Sequence, residues 1–350
     1  MPSHLRPKEV KEEQQKTRQH FAYAVSNTLS ASDYSSFANT DFNFAAVGDW
    51  GCNSNTHDTV NNILSKKPQL VLGLGDYSYS STADCWIQMV EPIVKIMKIA
   101  IGNHDNMRDE ALHQFLNYFN LTNPYYSFNY RNVHFTAIST DHPYAVGSEQ
   151  YNFVNNDLLN AASDPQIDWI VVYFHKPMYT SPTTHPGDLT LTSIYHPIFD
   201  KYGVDIVIQG HNHDYQRSYP LDYNISSPSQ PILTKTLTDT NTNNNNFNNN
   251  YTDPKARIFI TVGTGGAPTY NFKGKASYIV SQYAGYGILD IDITNGGTKL
   301  VATFYANEDG SVKDTFTITK LHKPKLIAIK DELHREKSQI FNAKTLCKCQ

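Results

Sequence analysis

Five apolar runs in this chain end on side chains able to bind metal ions. Gly210-His211-Asn212-His213 follows the β-branched run 204–209, which reads as a buried strand. Two imidazoles spaced two residues apart in a glycine-opened loop can both turn inward at that strand's C-terminal end. Alone, His-x-His is a weak signal, because exposed loop histidines are common. Four more apolar runs end in the same way, at Gly48-Asp49-Trp50-Gly51, Gly75-Asp76-Tyr77-Ser78-Tyr79, Gly102-Asn103-His104-Asp105 and Val172-Tyr173-Phe174-His175. The donors are then Asp49, Asp76, Tyr79, Asn103, His175, His211 and His213. Oxygen and imidazole donors without a thiolate suit Fe, Zn or Mn better than a cysteine-rich structural zinc site. Seven donors are too many for one ion. They suit two ions that share a carboxylate, and Asp76 in the second loop is the natural bridge.

The elements that must position these loops alternate. Residues 42–47, 69–74 and 98–101 read as strands, with helices at 57–67 (apolar at Val60, Ile63 and Leu64) and 83–95 between them. A hairpin is expected over 125–140, turning at Asn129-Tyr130-Arg131-Asn132, then a helix at 148–162, a strand at 168–174, a helix at 190–202 and the strand that leads to His211. Later strands, mostly antiparallel, are expected at 258–262, 277–280, 287–293, 299–305 and 314–319. Alternating strands and helices with chemistry at strand ends predict an α/β fold whose site lies at strand C-terminal ends. Residues 1–40 read as a mobile arm, and the Asn-rich stretch 224–253 as a disordered surface insertion too polar to pack. Residues 321–350 form a basic tail, with a helix at 326–341 and a solvated face.

With 350 residues the chain can bury a large core, and a net charge of −4 argues against a nucleic-acid binder that works by neutralising phosphates. No apolar run approaches the ~18 residues of a membrane span. Residues 1–20 lack the apolar centre of a secretory signal. The four cysteines form no zinc pattern. Cys52 and Cys85 each follow a donor loop, and a disulfide or two buried thiols fit equally well. Sequons begin at Asn120, Asn224 and Asn250, and they matter only in a secreted glycoprotein.

In that order, GDWG, GDYSY, GNHD, VYFH and GHNH resemble the five-block signature of purple acid phosphatases, within the calcineurin-like metallophosphoesterase superfamily, over residues 42–319. The resemblance implies a four-layer α/β/β/α sandwich of the metallophosphoesterase type, with 41–320 as the catalytic domain of a small single-domain form. Most of the superfamily has Asp-x-His in the first block. Gly51 stands at that histidine position here, and Tyr79 supplies the replacement donor. By the resemblance, Asp49, Tyr79 and His213 hold Fe(III), Asn103, His175 and His211 hold a divalent ion (Fe, Zn or Mn), and Asp76 bridges them. Ferric iron stabilises a phenolate because its charge lowers the phenol pKa.

His104 directly follows Asn103. His185 lies where similar enzymes carry a substrate histidine. Both are expected to bind phosphate oxygens and to protonate the leaving group. His113, His134, His142 and His196 fit no block and are expected to be structural. The implied reaction is hydrolysis of small phosphate monoesters by a metal-bound hydroxide, in a secreted or lysosomal enzyme. The rivals are a phosphodiesterase of the same superfamily with two divalent ions, and a non-catalytic metal- or phosphate-binding protein.

Overall fold

Parallel strands lie at one edge of the first of two sheets and at the centre of the second. The computed structural model describes residues 41–107, 109–234 and 249–321. The expected arm at 1–40, the middle of the Asn-rich segment and the tail with its helix lie outside the described residues. In the first sheet β1 (Phe42–Val47), β2 (Leu70–Gly73) and β3 (Met97–Ile99) run parallel, linked by α1 (Ser54–Lys66) and α2 (Asp84–Met89). β13 (Gly287–Thr294) pairs antiparallel with β1, and β14 (Lys299–Ala306), β15 (Val312–Thr319) and β10 (Asn250–Thr252) extend the sheet from there.

In the second sheet β5 (Val133–Ala137), β6 (Trp169–Tyr173), β7 (Ile206–Gln209) and β11 (Arg257–Val262) are parallel. β4 (Tyr126–Tyr130) closes one edge as the expected hairpin. β8 (Tyr215–Asp222), β12 (Ile279–Tyr283) and the short β9 (Ile232–Leu233) build the other. α5 (Glu149–Ser163) and α6 (Leu189–Tyr202) are the crossovers, following the short α3 (Asn103–Asn106) and α4 (Asp109–Tyr118).

The two sheets pack face to face through aromatic side chains. Phe44 of β1 meets Phe135 of β5 edge-on at 5.2 Å, and Tyr215 of β8 stacks on Phe304 of β14 at 4.1 Å. α5 and α6 cover the outer face of the second sheet, burying Val154, Leu158, Leu191 and Phe199 against Ile170, Val172 and Val207. α1 lies over the first sheet, where Asn62 Nδ2 donates to the Tyr305 carbonyl at 3.3 Å. The arrangement is the expected layered α/β sandwich. No helix among the described residues is long and apolar enough to cross a membrane.

Several elements differ from expectation for local reasons. α1 begins at Ser54, ahead of the expected start, because Asn53 Oδ1 accepts the N–H groups of Asn55 and Thr56 and caps the helix. The expected helix 83–95 stops at Met89 and resumes only as a 3-10 turn at Val94–Ile96, with Pro92 between the two pieces. The strand expected at 277–280 lies at Ile279–Tyr283.

Cys52 and Cys85 are joined in a disulfide, which settles that alternative. The flanks of the Asn-rich segment are not featureless. β10 pairs with β15, Tyr251 is buried, and its hydroxyl accepts from Arg217 Nη1 at 3.0 Å. The expectation that 224–253 has almost nothing to bury therefore fails at residues 249–253, because average composition conceals a single well-placed tyrosine.

Candidate metal centre

All five donor loops leave the C-terminal ends of parallel strands from the two sheets, and the sheets are joined there. Gly48 N–H donates to the Val262 carbonyl at 2.9 Å, and His175 Nδ1 lies 2.9 Å from the Leu74 carbonyl. The backbone turns sharply at the donors themselves. Among the described residues nine non-glycine positions have positive φ, and four of them are Asp49, Asp76, Tyr79 and His211. Such conformations cost free energy and cluster at functional sites. Close approach is enforced at Gly102, where a Cβ would stand 2.2 Å from Asp76 Oδ1.

The side chains form two groups. In the first, the Tyr79 hydroxyl lies 3.3 Å from Asp49 Oδ1 and 3.0 Å from His213 Nε2, and His213 Nε2 lies 3.4 Å from Asp49 Oδ1. Gly51 contributes no side chain, and Tyr79 reaches in from the neighbouring loop. In the second, His175 Nε2 lies 3.3 Å from Asp76 Oδ2, 3.1 Å from Asn103 Oδ1 and 3.1 Å from His211 Nδ1. Asp49 Oδ2 accepts the backbone N–H of His211 at 2.7 Å and so ties the two groups together. The contacts of Asp76 fall on the His175 side.

The donor chemistry fits cations. His175 Nδ1 faces the Leu74 carbonyl at 2.9 Å and His213 Nδ1 faces that of Pro268 at 2.7 Å, so in each ring Nδ1 carries a proton and Nε2, when it gives up its own, offers a lone pair to a cation. Metal–ligand bonds of about 2.1 Å put neighbouring donors about 3.0 Å apart in an octahedron and about 3.4 Å apart in a tetrahedron, which the spacings above match. Asp76, His175 and His211 bring their donor atoms within 4.8 Å of one another.

The electrostatics point the same way. Burial opposes the charge of Asp76, yet His175 and His104 hold its pKa down to about 2. Burial would depress His175, but Asp76 outweighs it and raises the imidazole to about 10. Burial, then Asp49, pushes the Tyr79 phenol well above its usual range, so it ionises only beside a strong cation. The carboxylates draw positive charge into the pocket.

His104 and His185 flank the two groups. The His104 ring stands 4.6 Å from that of Tyr79, with Nε2 4.0 Å from Asp76 Oδ2, and the imidazole is 39% exposed. The His185 ring lies 4.2 Å from that of His211. Burial and then His213 lower its pKa, so it carries a proton only in acid. The four histidines that fit no block have partners elsewhere. His134 binds Asp157 and His196 binds Asp200, His113 faces a carbonyl on α4, and His142 lies beside Tyr125.

Sequence reasoning assigned no part to Asp105. Buried in the GNHD block, it accepts the N–H groups of Asp76, Tyr77 and Gly102 at 2.8, 2.9 and 2.9 Å and ties the second donor loop to the third. Tyr270, which stacks on His213 at 4.1 Å, was also missed and has no motif to reveal it.

Residues 42–215 match the calcineurin-like phosphoesterase family, and the chain carries a calcineurin-like metallophosphoesterase domain. Its relatives include purple acid phosphatases. It is 25% identical over 303 residues to the purple acid phosphatase of Glycine max, covering 77% of this chain and 61% of the relative. It is likewise 25% identical over 304 residues to the phosphoenolpyruvate phosphatase of Allium cepa, covering 77% and 58%. Purple acid phosphatase 15 of Arabidopsis thaliana is 29% identical over 216 residues, 50% of this chain and 40% of the relative. The chain thus spans about half the length of these relatives.

Among solved structures, a purple acid phosphatase from yellow lupin seeds superposes with a TM-score of 0.65 at 20% identity, over 81% of this chain and 55% of the other. An anchor protein of the Plasmodium inner membrane complex gives 0.60 at 16% identity, over 81% and 90%. Those likenesses concern the fold alone. The function has to be argued from the site.

Proposed function

We propose that the chain is a dinuclear-metal acid phosphatase that hydrolyses small phosphate monoesters. The observation that carries this reading is the pair of converging donor groups, Asp49/Tyr79/His213 and Asp76/Asn103/His175/His211. In it, Asp49, Tyr79 and His213 hold Fe(III), Asn103, His175 and His211 hold a divalent Fe, Zn or Mn, and Asp76 joins the two. Such ions, when bound, neutralise phosphoryl oxygens and make water acidic enough to serve as nucleophile below neutral pH.

The chain's own residues supply the rest. Nδ1–H of His175 and of His213 donates to a backbone carbonyl, which fixes both tautomers and aims Nε2 inward. Asp105 fixes the loop of Asp76 through three N–H groups. His104, beside Tyr79, and His185, beside His211, bind phosphate oxygens, and a protonated imidazole there delivers its proton to the leaving oxygen. The lowered pKa of His185 limits that proton to acid solution, in keeping with an acid phosphatase.

Support comes from the purple acid phosphatase relatives and from Gly51, which leaves the first group short of a donor that Tyr79 provides. Steady-state turnover of nitrophenyl phosphate and bis(nitrophenyl) phosphate, before and after chelation and reconstitution, tests the reading. Monoester turnover that is lost on chelation and restored by metal supports it. A strong preference for the diester replaces it with the phosphodiesterase reading.

A further inference from the structure

Asn212 stands between two candidate ligands, yet its side chain serves a third histidine. Its Oδ1 accepts the N–H of His185 at 3.0 Å, and its Nδ2 donates to the carbonyl of the same residue at 3.0 Å and to Thr180 Oγ1 at 3.1 Å. One buried amide thus satisfies both backbone groups of His185, as a neighbouring strand would.

Alternate residues continue the seam. Asp214 Oδ2 accepts from Thr183 Oγ1 at 3.1 Å. Gln216 Oε1 accepts the N–H of Ser181 at 2.6 Å while its Nε2 donates to Thr180 Oγ1 at 2.8 Å. Residues 180–185 belong to no helix or strand, and Pro182, Thr184 and Pro186 are exposed. The loop is therefore placed by this seam of buried polar side chains, with Asn212 at the end nearest the metal centre.

We infer that Asn212 is a positioning residue for His185. It couples the proton-donating histidine to the loop that carries His211 and His213. The inference rests on the phosphatase reading for its catalytic part. Its physical basis is general: a misplacement of about 1 Å in a reacting group can cost about 10²-fold in rate. A loop histidine whose backbone lost both partners would spread over more than that distance.

The test combines a structural and a catalytic readout on the metal-loaded protein. Asn212→Ala should retain both metals, speed amide hydrogen exchange in the peptide covering 180–187, and lose about 10²-fold in kcat on an alkyl phosphate. The loss on nitrophenyl phosphate, whose leaving group needs little protonation, should be smaller. In a His185→Ala background the same substitution should cost less than about twofold more, because the residue it acts through is gone.

Losses that multiply in the double variant overturn the inference and leave the phosphatase reading standing. Unchanged exchange at 180–187 also overturns it. Asn212→Asp keeps the acceptor for the His185 N–H and gives up the donor, so it should fall between wild type and Asn212→Ala on both readouts. It carries the test if the alanine variant does not fold. A wild-type protein that turns over no phosphate ester refutes the reading and the catalytic role together, while hydrogen exchange still decides whether Asn212 holds His185.

Discussion

The Tyr79 hydroxyl lies 3.0 Å from Nε2 of His213, a nitrogen whose ring partner Nδ1 is engaged by the Pro268 carbonyl. Two side chains from different sheets therefore bring their donor atoms to one point. If a cation takes the place of the proton between them, the pocket histidines separate into two classes. His211→Ala and His213→Ala should lower metal content together with activity. His104→Ala and His185→Ala should keep both metals and lose ~10²- to 10⁴-fold in rate, as expected for a lost general acid. The loss should be larger for alkyl than for nitrophenyl phosphates. Plasma emission analysis beside kinetics checks this, and loss of metal from the His104 or His185 variant would move that residue into the ligand set.

Arg217 joins the two sheets across their edge. Its Nε donates to Asp314 Oδ2 at 2.6 Å and its Nη2 to Oδ1 at 3.0 Å, with Tyr251 on Nη1. Asp314→Ala, which removes the carboxylate paired with a buried guanidinium, should destabilise the fold by about 3–5 kcal/mol. Tyr251→Phe should cost about 1.5–3 kcal/mol, the worth of a hydrogen bond to a charged group. Deleting 224–253 should likewise lower the urea midpoint, because the deletion removes β10 and Tyr251. A deletion as stable as wild type would show that this edge contributes nothing.

Asp290 gives stability a definite pH dependence. Burial and neighbouring Asp292 raise its pKa from 3.8 to about 7, against the opposing effects of Asn43 and Lys66. The native state keeps a proton that the unfolded chain releases, so this group's contribution is full below about pH 4 and fades as pH rises through about 7. Asp290→Asn should therefore gain on wild type at pH 8 and show no gain near pH 4. Urea midpoints at the two pH values check it, and equal differences at both would contradict the sign.

The disulfide Cys52–Cys85 spans 33 residues and ties the Asp49 loop to the start of α2. Loop-closure entropy for that length amounts to about 4 kcal/mol. Cys52→Ser/Cys85→Ser should lower Tm by several degrees and weaken metal retention during dialysis, since Asp49 and Tyr79 lie on loops at its two sides. A variant with unchanged Tm would show that the loops are held by their backbone bonds alone.

The parallel strands were legible because apolar, β-branched runs such as 206–208, fully buried in the fold, end on unusual polar loops. β8 was not. Gln216, Arg217, Ser218 and Pro220 look like loop residues in sequence, and only long-range partners such as Asp314 make their burial tolerable. α4 was missed although Ala111 and Phe115, four residues apart, are buried on one face. Motif order named the seven donors and the resemblance divided them into two groups, while the physical reason for that division lies in which strand ends meet. The supporting contacts of Asp105 and Asn212 connect residues 29 and 27 apart, beyond any local pattern.

The most direct test of a dinuclear centre containing iron is metal analysis with a visible spectrum, on wild type and Tyr79→Phe side by side. Wild type should contain two metal ions per chain, one of them iron, and show a tyrosinate-to-iron charge-transfer band. Tyr79→Phe should fold and lose that band. Wild-type protein with a single ion or none, or a band that survives in Tyr79→Phe, would contradict the account.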